Sequence, residues 1–62
     1  MYIVFFSTNN VFRAEEILNN ASIECKVVPT PVQDKAYCGV CIHTKDKYAK
    51  ELMDDMEFEV IE

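Results

Sequence analysis

The sequence has few of the residues on which many catalytic motifs depend. Its 62 residues include one glycine, one histidine, two prolines and no tryptophan. One glycine cannot build the glycine-rich loop that cradles a phosphate, and no acid–base pair or nucleophile triad can be recognised. We therefore expect that the chain is not a free-standing enzyme and that it uses no cofactor.

Basic residues are also scarce, since six Lys and Arg stand against eleven Asp and Glu and give a net charge of -5. Such a field repels phosphate backbones and anionic lipids, so nucleic acid is not an expected partner. No apolar run is long enough to span a membrane, and the apolar N-terminus lacks the basic region of a signal peptide. We expect a cytoplasmic protein without membrane contact.

The length allows one domain, residues 1–62, near the lower limit for a core that holds a fold without help. A hydrophobic fraction of 50% is typical of a folded domain. Three cysteines are an odd number, whereas small secreted domains normally carry an even set of bridged ones. The sequence therefore favours reduced thiols.

Periodicity and turn residues predict six elements in the order β-α-β-β-α-β. The strands are predicted at 2–7, 23–31, 37–44 and 58–62, and the helices at 10–20 and 47–56. This order predicts an α+β, ferredoxin-like fold, with a four-stranded antiparallel sheet and both helices on one face.

Each helix is predicted from an apolar stripe. In the first helix the stripe consists of Val11, Ala14, Ile17 or Leu18, and Ala21. In the second helix Asp46 is the predicted N-cap, and the stripe consists of Tyr48, Leu52 and Met56, widened by Ala49 and Met53.

The first strand is apolar on both faces, with Tyr2, Val4 and Phe6 on one face and Ile3 and Phe5 on the other. One of these sets must therefore lie on the sheet face without helices. An apolar open face usually meets a partner, so a homodimer is one expected form of the protein.

The predicted topology places one cysteine at a chemically distinctive position. Strands one and three are central neighbours in this fold, so Cys38 should lie beside Ser7, Thr8 and the first turn of helix one. The unpaired N–H groups of a first turn favour a thiolate over a thiol. Arg13 and Lys35 are candidate cations that would assist.

Gly39 would allow the backbone to turn or bulge after Cys38, so that the sulfur is presented outward. Cys41 is three positions along the strand from Cys38, so the two side chains should emerge on opposite faces. A regular strand would then prevent a shared metal ion or a disulfide between them.

The remaining candidates have alternative interpretations. Cys41 is either a buried packing residue or a second thiol that resolves Cys38, and Cys25 is a structural residue that could approach Cys41 or His43. A metal-binding module that uses Cys38, Cys41 and His43 is an alternative, although we expect no metal. A second alternative is a protein-interaction module in which the cysteines are incidental.

Four short motifs in order resemble one small family. They are the Ser-Thr pair 7–8, the Arg-Ala-Glu run 13–15, the Pro-Thr-Pro run 29–31 and the Cys-Gly pair 38–39. In this arrangement the chain is similar to the selenium/sulfur carrier protein-like family, and the similarity covers almost all of it.

The resemblance implies that Cys38 holds sulfur or selenium as a persulfide or a selenosulfide. It also implies partner proteins that donate and accept the atom, and the acidic charge of the chain would steer it towards basic ones. Cys41 departs from the family pattern, in which an aliphatic residue or alanine is common. A thiol at this position is therefore a candidate resolving thiol.

Overall fold

The computed structural model describes residues 1–32 and 36–62. Its elements follow the predicted order: β1 (Tyr2–Phe5), α1 (Thr8–Asn20), β2 (Lys26–Pro29), β3 (Val40–His43), α2 (Ala49–Leu52) and β4 (Phe58–Ile61). Both helices and all four strands were expected from the sequence, although most of the elements are shorter than predicted.

The four strands form one antiparallel sheet in the order β2-β3-β1-β4. β1 occupies the centre, where Val4 lies opposite Cys41 on β3 and opposite Glu59 on β4. β2 completes the sheet by pairing with β3. This strand order is consistent with the ferredoxin-like fold, so the predicted fold class is confirmed.

The hydrophobic core lies between the sheet and the two helices. Ile3 and Phe5 of β1 face the helices and have no exposed surface. The same cluster contains residues of β3, of both helices and of the segments that follow the helices, which places α1 and α2 on one face of the sheet. These residues are Val11, Ala14, Leu18, Ile23, Ile42, Ala49 and Met53. Tyr2 and Val4 therefore belong to the open face.

The helix α1 begins two residues earlier than predicted, because Ser7 and not a later residue is its N-cap. The Ser7 Oγ accepts a hydrogen bond from the Asn10 N–H at 3.3 Å, which satisfies one of the unpaired amides of the first turn. β1 consequently ends at Phe5 and not at residue 7. Ala21, which was assigned to the apolar stripe, is exposed at the C-cap.

The helix α2 is one turn long, much shorter than the predicted span 47–56. Ala49 in the helix and Met53 at its C-cap are fully buried, whereas Tyr48 is 56% exposed and does not belong to the buried stripe. Asp46 caps the preceding turn: its Oδ1 accepts from the Tyr48 N–H at 2.8 Å. The buried stripe is thus rotated by about one residue from the predicted one.

β2 and β3 are also shorter than the predicted segments 23–31 and 37–44. β2 starts at Lys26 because the chain first closes the end of α1, and β3 starts at Val40 because the chain bends at Gly39. Within the described part of the chain, no helix is long and apolar enough to cross a membrane.

The end of α1 is a Schellman motif. The Ile23 N–H donates to the Leu18 carbonyl at 2.9 Å, and the Ser22 N–H donates to the Asn19 carbonyl at 3.0 Å. Ser22 takes the left-handed conformation with φ of 60°, at the position that glycine usually occupies. The left-handed conformation is sterically unfavourable for serine, so Ser22 lowers the stability of the folded protein.

Ser22→Gly should stabilise the protein by about 1 kcal/mol, because glycine adopts positive φ without steric cost. Ser22→Ala is the matched control and should give no such gain, since alanine keeps the Cβ. Chemical denaturation followed by circular dichroism measures both free energies of unfolding. Equal stability of the glycine and alanine variants would contradict the assignment of the motif.

Candidate functional site around Cys38

Cys38 lies beside the junction of β1 and α1, as the topology predicted. Its N–H donates to the Phe5 carbonyl at 3.0 Å, and two residues after Phe5 the chain reaches the helix N-cap Ser7. Its half-buried side chain packs against the core cluster. The fold therefore holds the backbone of Cys38 near the start of a 13-residue helix and leaves part of its side chain accessible to solvent.

The sulfur of Cys38 is hydrogen-bonded to a backbone oxygen. Cys38 Sγ donates to the Val40 carbonyl at 2.9 Å, and the Ser7 hydroxyl is engaged with Asn10. Thr8 is the exposed first residue of α1, and Arg13 is exposed on the same helix. Lys35, the second candidate cation, lies outside the described residues.

Gly39 marks the point at which regular pairing between β1 and β3 ends. The register that pairs Val4 with Cys41 would bring Val40 opposite Phe5, yet the Phe5 carbonyl accepts from Cys38 instead. The chain therefore bulges at this point, and the Cys38 side chain packs against the core cluster. Gly39 does not have positive φ, and a Cβ built on it would meet nothing within 4 Å, so the space beside it is open.

Thr30 holds the segment that carries Cys38 in place through two hydrogen bonds. Its hydroxyl donates to the Cys38 carbonyl at 2.8 Å, and its N–H donates to the Gly39 carbonyl at 3.1 Å. The sequence interpretation did not assign this residue to the site. Its position between Pro29 and Pro31, which have no N–H to donate, was the available signal, because Thr30 is then the donor of that turn.

Cys41 lies in the opposite kind of environment from Cys38. It is fully buried between Val4 of β1 and Val28 of β2, on the face of the sheet away from the helices. Burial raises the pKa of the Cys41 thiol, a hydrogen bond with Thr30 opposes the rise, and the nearby charge of Cys38 adds to it. This thiol is therefore held neutral and away from solvent.

Cys25 and His43 belong to the other end of the sheet. Cys25 Sγ lies 3.9 Å from the Asn19 side-chain oxygen, and burial followed by the charge of Glu15 raises the pKa of this thiol. The His43 ring packs against Tyr2 with centroids 4.8 Å apart. An open cavity of about 370 Å³ at this end is lined by Cys25 and His43 among others, and by neither Cys38 nor Cys41.

The structure does not bring the proposed metal ligands together. Cys38 packs on the helix side of the sheet, while Cys41 and His43 lie on the other side. In residues 1–32 and 36–62, no group of three or more His, Cys, Asp or Glu side chains could hold a metal ion. All three cysteines are free thiols.

Comparison with known proteins identifies one family. The family described as "Putative Se/S carrier protein-like" matches residues 1–62, which is the whole chain. No curated protein and no solved structure matches significantly.

The environments of the thiols predict how they react with an alkylating agent. In the folded protein, Cys41 should react far more slowly than Cys38, because it is buried and its pKa is raised. Treatment with iodoacetamide at neutral pH, followed by peptide mass spectrometry, measures each rate. In denaturant the difference should disappear, and equal rates in the folded protein would contradict the burial of Cys41.

Thr30→Val should weaken the attachment of the Cys38 segment, since the hydrogen bond from the hydroxyl to the Cys38 carbonyl is lost. We expect a loss of about 1 kcal/mol in the free energy of unfolding. Thr30→Ser keeps the hydroxyl and should restore most of it. Denaturant titration measures both variants, and a valine variant as stable as the serine variant would refute the role assigned to Thr30.

Proposed function

Because the chain belongs to the Se/S carrier protein-like family, we propose that it carries sulfur or selenium covalently on Cys38. The observation that supports this choice is the contrast between the thiols. Cys38 is half-buried and its backbone lies next to the junction that leads into α1, whereas Cys41 is fully buried with a raised pKa. Of these two, only Cys38 can be reached by a donor without unfolding the sheet.

The loading step is a transfer between thiols. The Cys38 thiolate attacks the outer sulfur of a donor persulfide, the donor S–S bond breaks, and the donor cysteine leaves as a thiolate. A new S–S bond forms on Cys38, and the terminal sulfur keeps its proton. The transferred atom does not change its oxidation level, so the step needs no external oxidant or reductant. Selenium would be loaded in the same way from a donor with a terminal selenium.

The helix α1 would stabilise the loaded form. Asn10 and Val11 direct their N–H groups to Ser7, which leaves Thr8 and Asn9 as first-turn amides for which a helix has no internal acceptor. The partial positive charge of this turn favours an anion, and a persulfide is more acidic than the thiol from which it forms. Arg13 would add a full positive charge on the same helix.

Gly39 would provide room for the additional atom and for the partner that delivers it. The space in which its Cβ would stand is open, and the neighbouring carbonyls are held by Thr30. The carbonyl of Val40, which now accepts from the thiol, would lose this hydrogen bond when the sulfur becomes an anion. A loaded sulfur would therefore turn away from Val40.

Cys41 would act on the loaded form only if the sheet opened. Its attack on the Cys38 persulfide would form a Cys38–Cys41 disulfide and release hydrosulfide, so that a sulfur atom would be lost from the carrier. Burial of Cys41 opposes this reaction. We propose that the fold protects a loaded carrier from its own second thiol, and that the molecule works in the cytoplasm, where free thiols persist.

Loading can be tested with a persulfide donor and intact mass spectrometry. The wild type and the Cys25→Ser and Cys41→Ala variants should each gain sulfur from glutathione persulfide, whereas Cys38→Ser should gain none. All four proteins should have the same circular dichroism spectrum, because the substitutions are small. Equal loading of the Cys38→Ser variant, or no loading of the wild type when a control carrier is loaded, would overturn the proposal.

A further inference from the structure

The end of the molecule that carries Cys38 combines apolar and acidic side chains. We propose that this end is the docking surface for a donor or acceptor protein whose own site has an apolar centre and a basic rim. This inference rests on the proposed function and adds the kind of partner. We call this surface the sulfur end, and it consists of Phe6, Phe12, Val32, Asp54, Asp55 and Glu57 around Cys38.

The apolar part of the sulfur end is unusually exposed. Phe6, Phe12 and Val32 are 41%, 53% and 40% exposed, and they account for three of the four large exposed apolar side chains in the described part of the chain. Phe6 follows β1, Phe12 lies in the second turn of α1, and Val32 follows β2. Since β1 and β2 run in the same direction, Phe6 and Val32 lie at the end of the sheet where Cys38 lies, and α1, which carries Phe12, starts at that same end.

A second ring packs into this region. The ring of Tyr37, the residue before Cys38, lies 5.7 Å from the ring of Phe6 and is tilted to it by 42°. The Tyr37 hydroxyl also donates to the Glu59 carboxylate on β4. The aromatic group is therefore held in place, and rigid exposed aromatic rings are the side chains that contribute most to protein interfaces.

Charge is distributed unevenly between the two ends of the sheet. β4 starts opposite Phe5, so the exposed residues Asp54, Asp55 and Glu57, which precede it, lie near the sulfur end. At the other end Lys26, Lys45 and Lys47 stand among the acidic residues Glu24, Asp46 and Glu62, so charges of both signs are mixed there. Of the described cations, Arg13 is the one that α1 brings towards the sulfur end.

This distribution of charge indicates which kind of partner fits the sulfur end. An acidic rim around an apolar centre attracts a basic surface and steers it to the sulfur end, whereas the mixed charges of the opposite end attract it less. Two copies of the chain that met through their sulfur ends would bring acidic groups together. The partner that fits is therefore another protein with lysines or arginines around its reactive cysteine, and not a second copy.

The test uses a purified cysteine desulfurase that carries a persulfide, since this protein presents the donor chemistry on a surface. The rate of sulfur transfer to Cys38 should fall with rising salt. The triple variant Asp54→Asn, Asp55→Asn, Glu57→Gln should be ~10-fold slower at low salt. The control triple variant Glu16→Gln, Glu24→Gln, Glu62→Gln has the same net charge but changes residues away from the sulfur end, and it should stay close to wild type.

A matched pair of variants tests how much the apolar side chains contribute to binding. Phe12→Ser should weaken binding of the desulfurase by ~10-fold, whereas Tyr48→Ser changes an aromatic residue of similar exposure outside the sulfur end and should not. Glutathione persulfide should load all these variants at similar rates, which shows that Cys38 itself is intact in each of them.

Binding measured on the Cys38→Ser background separates this inference from the proposed function. Fluorescence anisotropy with the labelled variant reports docking even if no sulfur is transferred. Equal effects of the test and control variants, salt-independent binding, or no binding of the desulfurase would each overturn the docking surface. Dimer formation that is lost in the Phe12→Ser variant, measured by analytical ultracentrifugation, would overturn it in favour of self-association.

Discussion

The pairing of β1 with β3 is the interaction on which the rest of the structure depends. It places Ile3 and Ile42 side by side beneath the helices and forms the centre of the sheet. At its end, the Phe5 carbonyl accepts the Cys38 N–H, which brings the cysteine to the start of α1. A domain of 62 residues has a small core, so the same few strand residues must hold the fold and position the site.

The bulge at Gly39 resolves a conflict between these two tasks. If the strand continued regularly through Cys38, the alternation of side chains between the two sheet faces would fix the direction of the Cys38 side chain. The chain instead departs from the β1–β3 register, and Thr30 holds the departing carbonyls with two hydrogen bonds. The result is a thiol with a well-defined position on an irregular backbone, next to a sheet that stays fully paired.

Cys38 and Cys41 show how environment separates identical side chains. Only two residues stand between them, yet one packs at the edge of the core near solvent and the other lies on the opposite face without exposed surface. Desolvation makes the anion of Cys41 costly, so the buried thiol behaves as a small apolar residue. Of the two interpretations that the sequence left open for Cys41, its burial favours the packing residue.

The apolar open face was expected to be more exposed than it is. Val4 and Cys41 lie at its centre with no exposed surface. The exposed apolar side chains are concentrated at one end of the molecule instead. Cross-strand neighbours and the residues before β3 determine this exposure, and a pattern of alternating residues does not contain that information.

The sequence by itself determined the order of the elements, the strand order of the sheet and the neighbourhood of Cys38, because hydrophobic periodicity and connection rules act over short stretches of chain. Only the tertiary structure decided the length of α2, the exposure of Tyr48, the role of Thr30 and the burial of Cys41. Each of these depends on contacts between residues that are distant along the chain, such as Thr30 with Cys38 or Cys41 with Val4. Local patterns cannot specify those contacts, since they follow from how the elements pack.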